Sequence, residues 1–249
     1  MNDPTETQRR SALRKLPIIL AFLVLAIVST NLSSGASVTT DKAQAQRKLV
    51  ILGASYAGSW GTPPLPDFSV VNRGVSGEQT KDMLSRFQRD VIAARPDVVL
   101  IWGHINNITR SDITNSTPER TEAVKKAARE DYLEMLKQAR AAGIDVILAT
   151  EIPLAEPSGL ANDARALVGR LLGKRSYGDK VNGHVRDLNE YVRQLAAREQ
   201  LHLLDFEKVF APSGGARKLE FATEDRSHVT AAGYLALTAY SVAELSKRR

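Results

Sequence analysis

Five short apolar runs punctuate the chain: KLVILG (48–53), FSVVN (68–72), DVVLIW (97–102), IDVILAT (144–150) and LHLLDF (201–206). They are rich in Val, Ile and Leu and lack the polar alternation of a strand with one wet face. Such continuous runs read as strands buried on both sides, the signature of a parallel sheet. From the second run onward, longer stretches with helical spacing intervene. In TKDMLSRFQRDVIAA (80–94) the apolar positions are 83, 84, 87, 91 and 92; residues 119–142 are rich in Ala, Glu, Lys and Arg and stop at Gly143; further helices are expected over 184–199 and from VTAAGY to the C-terminus. Strand alternating with helix predicts a three-layer α/β/α fold, a doubly wound five-stranded parallel sheet in one domain over residues 46–249. The stretch 153–183 is irregular around a short helical segment and follows the fourth strand, so it reads as a substrate-side insertion or as a variable loop.

The first 45 residues have a different character. Arg9, Arg10, Arg14 and Lys15 precede the 13-residue apolar run LPIILAFLVLAIV (16–28), and small and polar residues follow. A basic segment, a short apolar run and a small-residue region describe an export signal, and the run is short of the roughly 20 residues of a membrane span. Cleavage fits after Ala36, with Ala43-Gln44-Ala45 as a more distant small-x-small site. Uncut, residues 16–28 would anchor the chain in the inner membrane, and the expected location is periplasmic or secreted.

Composition removes several classes of chemistry. Cysteine is absent from all 249 residues, so disulfides, thiolate nucleophiles and thiolate-bound metals are excluded. Residues 46–249 carry 29 basic and 25 acidic side chains with no basic block interleaved with aromatics, which gives no expectation of nucleic acid. Neither G-x-x-x-x-G-K-[ST] nor G-x-G-x-x-G occurs, and no cofactor or metal is expected.

Four loops remain as candidates for chemistry. Ser55 follows the first strand among small residues (GASYAGSWG), which suits an exposed nucleophile and equally an ordinary strand-to-helix turn. NRGVSGEQT (72–80) follows the second strand, and its glycines allow close approach to a ligand, with the Gly77 N–H as an oxyanion donor. WGHINNIT (102–109) follows the third strand and brings side-chain amides to the same edge. In EDRSHVTAAGY (224–234), Asp225 stands three residues before His228 and a helical run follows. The carboxylate can turn back to Nδ1 and leave Nε2 as a base, although the same spacing suits a polar cap on the last helix. His184 and His202 read as an exposed and a packed histidine.

Together the blocks resemble those of the SGNH hydrolases, the superfamily of the GDSL esterases and lipases. GASY (53–56) stands for the nucleophile block, NRGVSGE for N-x-G-x-S-G-[DE], INNI (105–108) for G-x-N-D and DRSH (225–228) for D-x-x-H. The resemblance implies a flavodoxin-like fold, with Ser55 as nucleophile, His228 as base and Asp225 as its partner. The oxyanion hole would be the N–H groups of Ser55 and Gly77 with the Asn106 side chain. It also implies an ester substrate, whether a small molecule, lipid or glycan. Transfer of the acyl group to a sugar hydroxyl, or a non-catalytic binding role, would use the same fold.

Two departures from the pattern stand out: Ala54 replaces the aspartate of GDSL, and one extra residue separates Gly103 from Asn106, which leaves Asn107 as the rival amide. His104 is expected either against substrate or hydrogen-bonded within its turn, and Glu78 as an anchor of its loop. Tyr56, Trp60 and Trp102 would serve either as core or as an apolar or sugar-stacking wall near Ser55.

Overall fold

The computed structural model describes residues 46–157 and 159–247, so the expected leader or anchor lies outside the described residues. Strands β1 (Arg47–Gly53), β2 (Phe68–Gly74), β3 (Val98–Trp102), β4 (Asp145–Ala149) and β5 (His202–Leu204) form one sheet in the order β2-β1-β3-β4-β5. Every neighbouring pair is parallel. The chain moves from β1 to one side for β2 and to the other for β3, which makes the carboxyl ends of β1 and β3 the switch point where doubly wound sheets bind ligands. This is the expected α/β architecture with its five expected strands.

Period-two alternation divides the strand residues between two cores. Leu49, Ile51, Leu100, Trp102 and Ile147 join Phe206, Phe210 and Leu237 in one cluster, while Val50, Leu52, Val99, Ile101 and Leu148 join Met83, Phe87, Tyr132 and Leu195 in the other. The continuous apolar runs are therefore what burial on both faces requires. The sheet and both cores lie within the compact unit Ala43–Arg249, which holds a complete three-layer arrangement of its own.

The helices are α1 (Ser55–Trp60), α2 (Thr80–Ser85), α3 (Ile105–Arg110), α4 (Pro118–Ala141), α5 (Leu160–Leu171), α6 (Tyr177–Arg198), α7 (Phe206–Phe210) and α8 (Ala231–Ser246). Their starts are written locally. Thr117 accepts from the Arg120 N–H ahead of Pro118, Ser176 from the Asp179 N–H, and Thr230 from the Gly233 N–H.

Three boundaries differ from expectation. The helix expected over 80–94 divides into α2 and a π-turn at Gln88–Ile92, where the Ala93 N–H reaches back to the Gln88 carbonyl. The wider turn still buries Met83, Phe87 and Val91 on one side. The Ser176 cap starts α6 seven residues before the expected 184, so much of the stretch expected to be irregular is helical, as α5 and the first turns of α6. The last strand ends at Leu204, because Asp205 is held by Arg193 and Thr150 and α7 begins at Phe206.

Candidate active site

Ser55 is the first residue of α1, directly beyond β1, and is half-buried. The first N–H groups of a helix lack intrahelical partners, so the Ser55 N–H has no acceptor within α1. The turn is held by its neighbours. Asn72 on β2 donates to the Ala57 carbonyl at 2.7 Å and accepts from the Gly74 N–H at 2.7 Å. Gly74 lies so close to α1 that a Cβ there would stand 2.1 Å from the Gly58 nitrogen. Only glycine permits that approach.

The second loop carries Gly77 at φ +81°, a left-handed conformation that glycine adopts without strain. Glu78, as expected, anchors the loop: its carboxylate accepts from Arg86 Nε at 3.0 and 2.7 Å, and Arg86 also donates to the Gly53 carbonyl at 3.2 Å. Arg86 is buried and bonds Asp90 as well, so one guanidinium ties the end of β1 to the loop after β2.

The third loop separates the two asparagines. Asn107 is buried; its Oδ1 accepts from the Thr80 N–H at 3.1 Å and its Nδ2 donates to Thr80 Oγ1 at 2.9 Å. Both ends of that amide are engaged in holding α2. Asn106 is half-buried and donates one amide hydrogen to the Glu78 carbonyl at 2.9 Å, and a carboxamide has a second to give. The extra residue before it is absorbed by His104, which takes the N-cap position of α3.

The fourth loop is a tight turn closed by an antiparallel bridge between Ala222 and Val229, with Arg226 at φ +59°. His228 Nδ1 lies 2.5 Å from Asp225 Oδ2, and Asp225 Oδ1 accepts from the N–H groups of Ser227 and His228 and from Thr223 Oγ1. Bonds from the His228 backbone N–H and ring hold the Asp225 carboxyl well below the usual carboxylate range. Both side chains are about half exposed, so the ring is open to solvent on its other side.

The fourth loop meets the first through a group that the sequence motifs do not mark. The Tyr56 hydroxyl donates to the Ser227 carbonyl at 2.5 Å. Arg217, 2 % exposed, donates to that hydroxyl at 2.6 Å, to the carbonyls of His228 and Ser227 at 2.6 and 3.1 Å, and to the Pro153 carbonyl at 2.9 Å. Tyr234 on α8 adds a bond to the Tyr56 carbonyl. Ser55 and His228 are thus the sequence neighbours of two hydrogen-bonded residues 171 positions apart.

At His104, Tyr56 and Trp60, which the sequence leaves open to substrate contact or packing, burial favours packing. His104 is 1 % exposed, with Nδ1 3.3 Å from the Tyr132 hydroxyl, and burial pushes its imidazole down to about 4. Tyr56 and Trp60 are also buried, Tyr56 tilted against Trp102 and Trp60 edge-to-face with Trp102 and Phe206, so these aromatics are core rather than a substrate wall. Beside them Glu151, 1 % exposed, accepts from the N–H groups of His104 and Ile152, and burial raises its carboxyl. Among the described residues, no group of three or more His, Cys, Asp or Glu side chains is placed to hold a metal ion.

Comparison with known proteins adds an independent line. A GDSL-like lipase from Bacteroides thetaiotaomicron is 21 % identical with a TM-score of 0.61, over 82 % of this chain and 89 % of that one. An acetylxylan esterase from Geobacillus stearothermophilus is 20 % identical with a TM-score of 0.57, over 80 % and 94 %. At such identities these likenesses speak for the fold. An uncharacterized lipoprotein, YqeF, of Bacillus subtilis (strain 168) is 29 % identical over 119 residues, 48 % of this chain and 44 % of the relative, so the match spans less than half of that protein. The family model of the GDSL-like lipases and acylhydrolases matches residues 35–236, which takes in all four loops and the whole sheet. With that coverage the chain belongs to the GDSL-like lipase/acylhydrolase family.

Proposed function

We propose that the protein is an exported carboxylic-ester hydrolase that works through Ser55, His228 and Asp225. Ser55 Oγ attacks the ester carbonyl carbon while His228 Nε2 takes the hydroxyl proton. Asp225, accepting from Nδ1, fixes the tautomer and balances the imidazolium. The tetrahedral oxyanion is held by the N–H groups of Ser55 and Gly77 and by the second amide hydrogen of Asn106, whose first is committed to the Glu78 carbonyl. The proton on Nε2 then passes to the departing alcohol as its bond to the acyl carbon breaks. Water, activated by the same nitrogen, releases the acid.

The observation that carries this reading is the Asp225–His228 pair, coupled to the Ser55 turn through Tyr56, Ser227 and Arg217. Asp225 held well below the usual carboxylate range supports its role, because a partner that stays ionised can stabilise the imidazolium. The substrate class is an acyl or acetyl ester of a glycan, lipid or small alcohol; the acetylxylan esterase among the similar structures supports the glycan end of that range.

Export is part of the proposal. It rests on the basic residues and apolar run ahead of residue 29 and on the lipoprotein among the relatives. This chain has no cysteine to carry a lipid, so its leader is a signal that is removed or an anchor that stays. The test is hydrolysis of p-nitrophenyl acetate and octanoate by residues 46–249. Turnover that Ser55→Ala abolishes without unfolding the protein supports the reading, and turnover that survives Ser55→Ala refutes it.

A further inference from the structure

The helix least integrated into the fold is α5. Each of the other long helices turns a buried face to the sheet, whereas none of the α5 residues with a described side chain is buried. Its apolar residues nonetheless follow a helical stripe: Leu160, Ala164, Leu167, Val168 and Leu171 recur at i, i+4, i+7, i+8 and i+11, with Leu172 continuing it. Leu160 is 93 % exposed, Leu171 78 % and Leu172 67 %. Half of the ten large exposed apolar side chains among the described residues lie in these 13 positions. A stripe of this kind costs solubility unless something covers it.

Charge indicates what covers it. Residues 160–180 hold five basic side chains and two acidic ones, so this short segment supplies most of the modest positive excess of residues 46–249. Arg165, Lys174 and Arg175 are exposed beside the stripe. An apolar helical face bordered by cations is the pattern of a helix lying in the interface of an anionic bilayer, with leucines among the acyl chains and cations at the headgroups. An uncharged partner surface would account for the leucines but not for the cation excess. Among the described residues no helix is long and apolar enough to cross a membrane, so contact through α5 would be peripheral.

We infer that α5 and the turn after it form a docking surface for the anionic face of a lipid bilayer. Docking sets the position of the candidate site. Ser176, Tyr177 and Gly178, just beyond this segment, share a cleft of about 360 Å³ with Asp225, Arg226 and Ser227. A bilayer seated on α5 therefore lies beside the His228 turn, and esters held at the membrane surface become the favoured substrates. The docking surface stands independently of the esterase reading; the preference for membrane-held esters rests on it.

The experiment is sedimentation of residues 46–249 with phosphatidylcholine vesicles, with and without about 30 % phosphatidylglycerol, at low and high salt. The expected result is binding to the anionic vesicles at least about tenfold tighter than to the zwitterionic ones, weakened by salt. Leu167→Asn with Leu171→Asn should lose at least about tenfold in binding. It should keep its melting temperature and its turnover of p-nitrophenyl acetate, since both side chains are exposed and outside the proposed machinery. Lys174→Ser with Arg175→Ser should lose the preference for phosphatidylglycerol. Wild type that ignores both vesicles, or an asparagine double variant that binds like wild type, overturns the inference. So does a dimer in sedimentation equilibrium that the same double variant dissociates, because the stripe would then be a contact between copies. Vesicle binding is read without any turnover, and turnover of a soluble ester without any vesicle, so failure of one proposal is distinguishable from failure of the other.

Discussion

Adjacent asparagines in the third loop differ in their amide partners, and the proposed mechanism gives them different duties. Asn107 spends both ends of its amide on Thr80, whereas Asn106 gives one hydrogen to the Glu78 carbonyl. Asn106→Ala should therefore lower kcat by about 10²–10³, equivalent to about 2.7–4 kcal/mol, with little change in unfolding free energy. Asn107→Ala should do the reverse, losing about 1–3 kcal/mol of stability because the buried Thr80 N–H loses its acceptor and the Thr80 hydroxyl keeps only its bond to Asp131, with near-normal kcat for the folded fraction. Steady-state kinetics and urea unfolding on the two variants check the assignment, and exchanged phenotypes would reverse it. Arg217 is the second residue to test. Lysine keeps its charge but cannot match a planar guanidinium that reaches Tyr56, Pro153, Ser227 and His228 together. Arg217→Lys should cost about 1–3 kcal/mol of stability, because the Pro153 carbonyl loses the guanidinium while the Ser227 and His228 carbonyls fall back on Tyr56 and the Thr223 N–H, and should lower kcat more than it raises KM. An unchanged kcat in folded protein would deny Arg217 its part in positioning His228.

At the scale of elements, α1 and β2 meet backbone to backbone beside the site. Gly74→Ala places a methyl against the Gly58 backbone, which can yield only if α1 and Ser55 move together. Overpacking of backbone against backbone costs about 3 kcal/mol at the upper end of such changes, and thermal unfolding should show it as a marked fall in melting temperature. Strand and helix order could be read from the sequence because apolar periodicity records burial directly, and the two interleaved cores of β1, β3 and β4 are that periodicity made visible. The four loops could be read because three carry a distinctive residue beyond a strand end and the fourth carries one just before the last helix. Arg217 could not: within GGARKLE it has no periodic or motif neighbour, and apart from the Tyr56 hydroxyl its partners are backbone carbonyls, which leave no trace in sequence. The start of α6 was missed for a simpler reason. Gly178 and Gly183 lower helix propensity over its first two turns, and the Ser176 cap with the burial of Val181 and Asn182 overrides them.

For the molecule as a whole, the buried histidine gives stability a pH dependence of defined sign. Burial depresses His104 from 6.5 to about 4, so between these values the unfolded chain binds a proton that the folded chain refuses. Stability from this source is complete above pH 6.5 and is lost as the pH falls toward 4, a loss of about 3 kcal/mol. Glu151 acts in the opposite direction: its raised carboxyl holds a proton that the unfolded chain releases, so its contribution weakens as the pH rises above the ordinary glutamate value. His104→Gln removes the first effect alone, and its unfolding free energy should therefore fall less than that of wild type between pH 6.5 and 4. Parallel curves for the two proteins would mean that folding leaves the His104 imidazole unshifted.

The central claim is that Ser55 is an activated nucleophile. The most direct measurement is reaction of residues 46–249 with a fluorophosphonate, followed by mass mapping of the labelled peptide. The account predicts one adduct, on Ser55, formed many-fold more slowly when His228 is replaced by Gln. A protein that stays unlabelled while folded, or that is labelled at another serine, would contradict it.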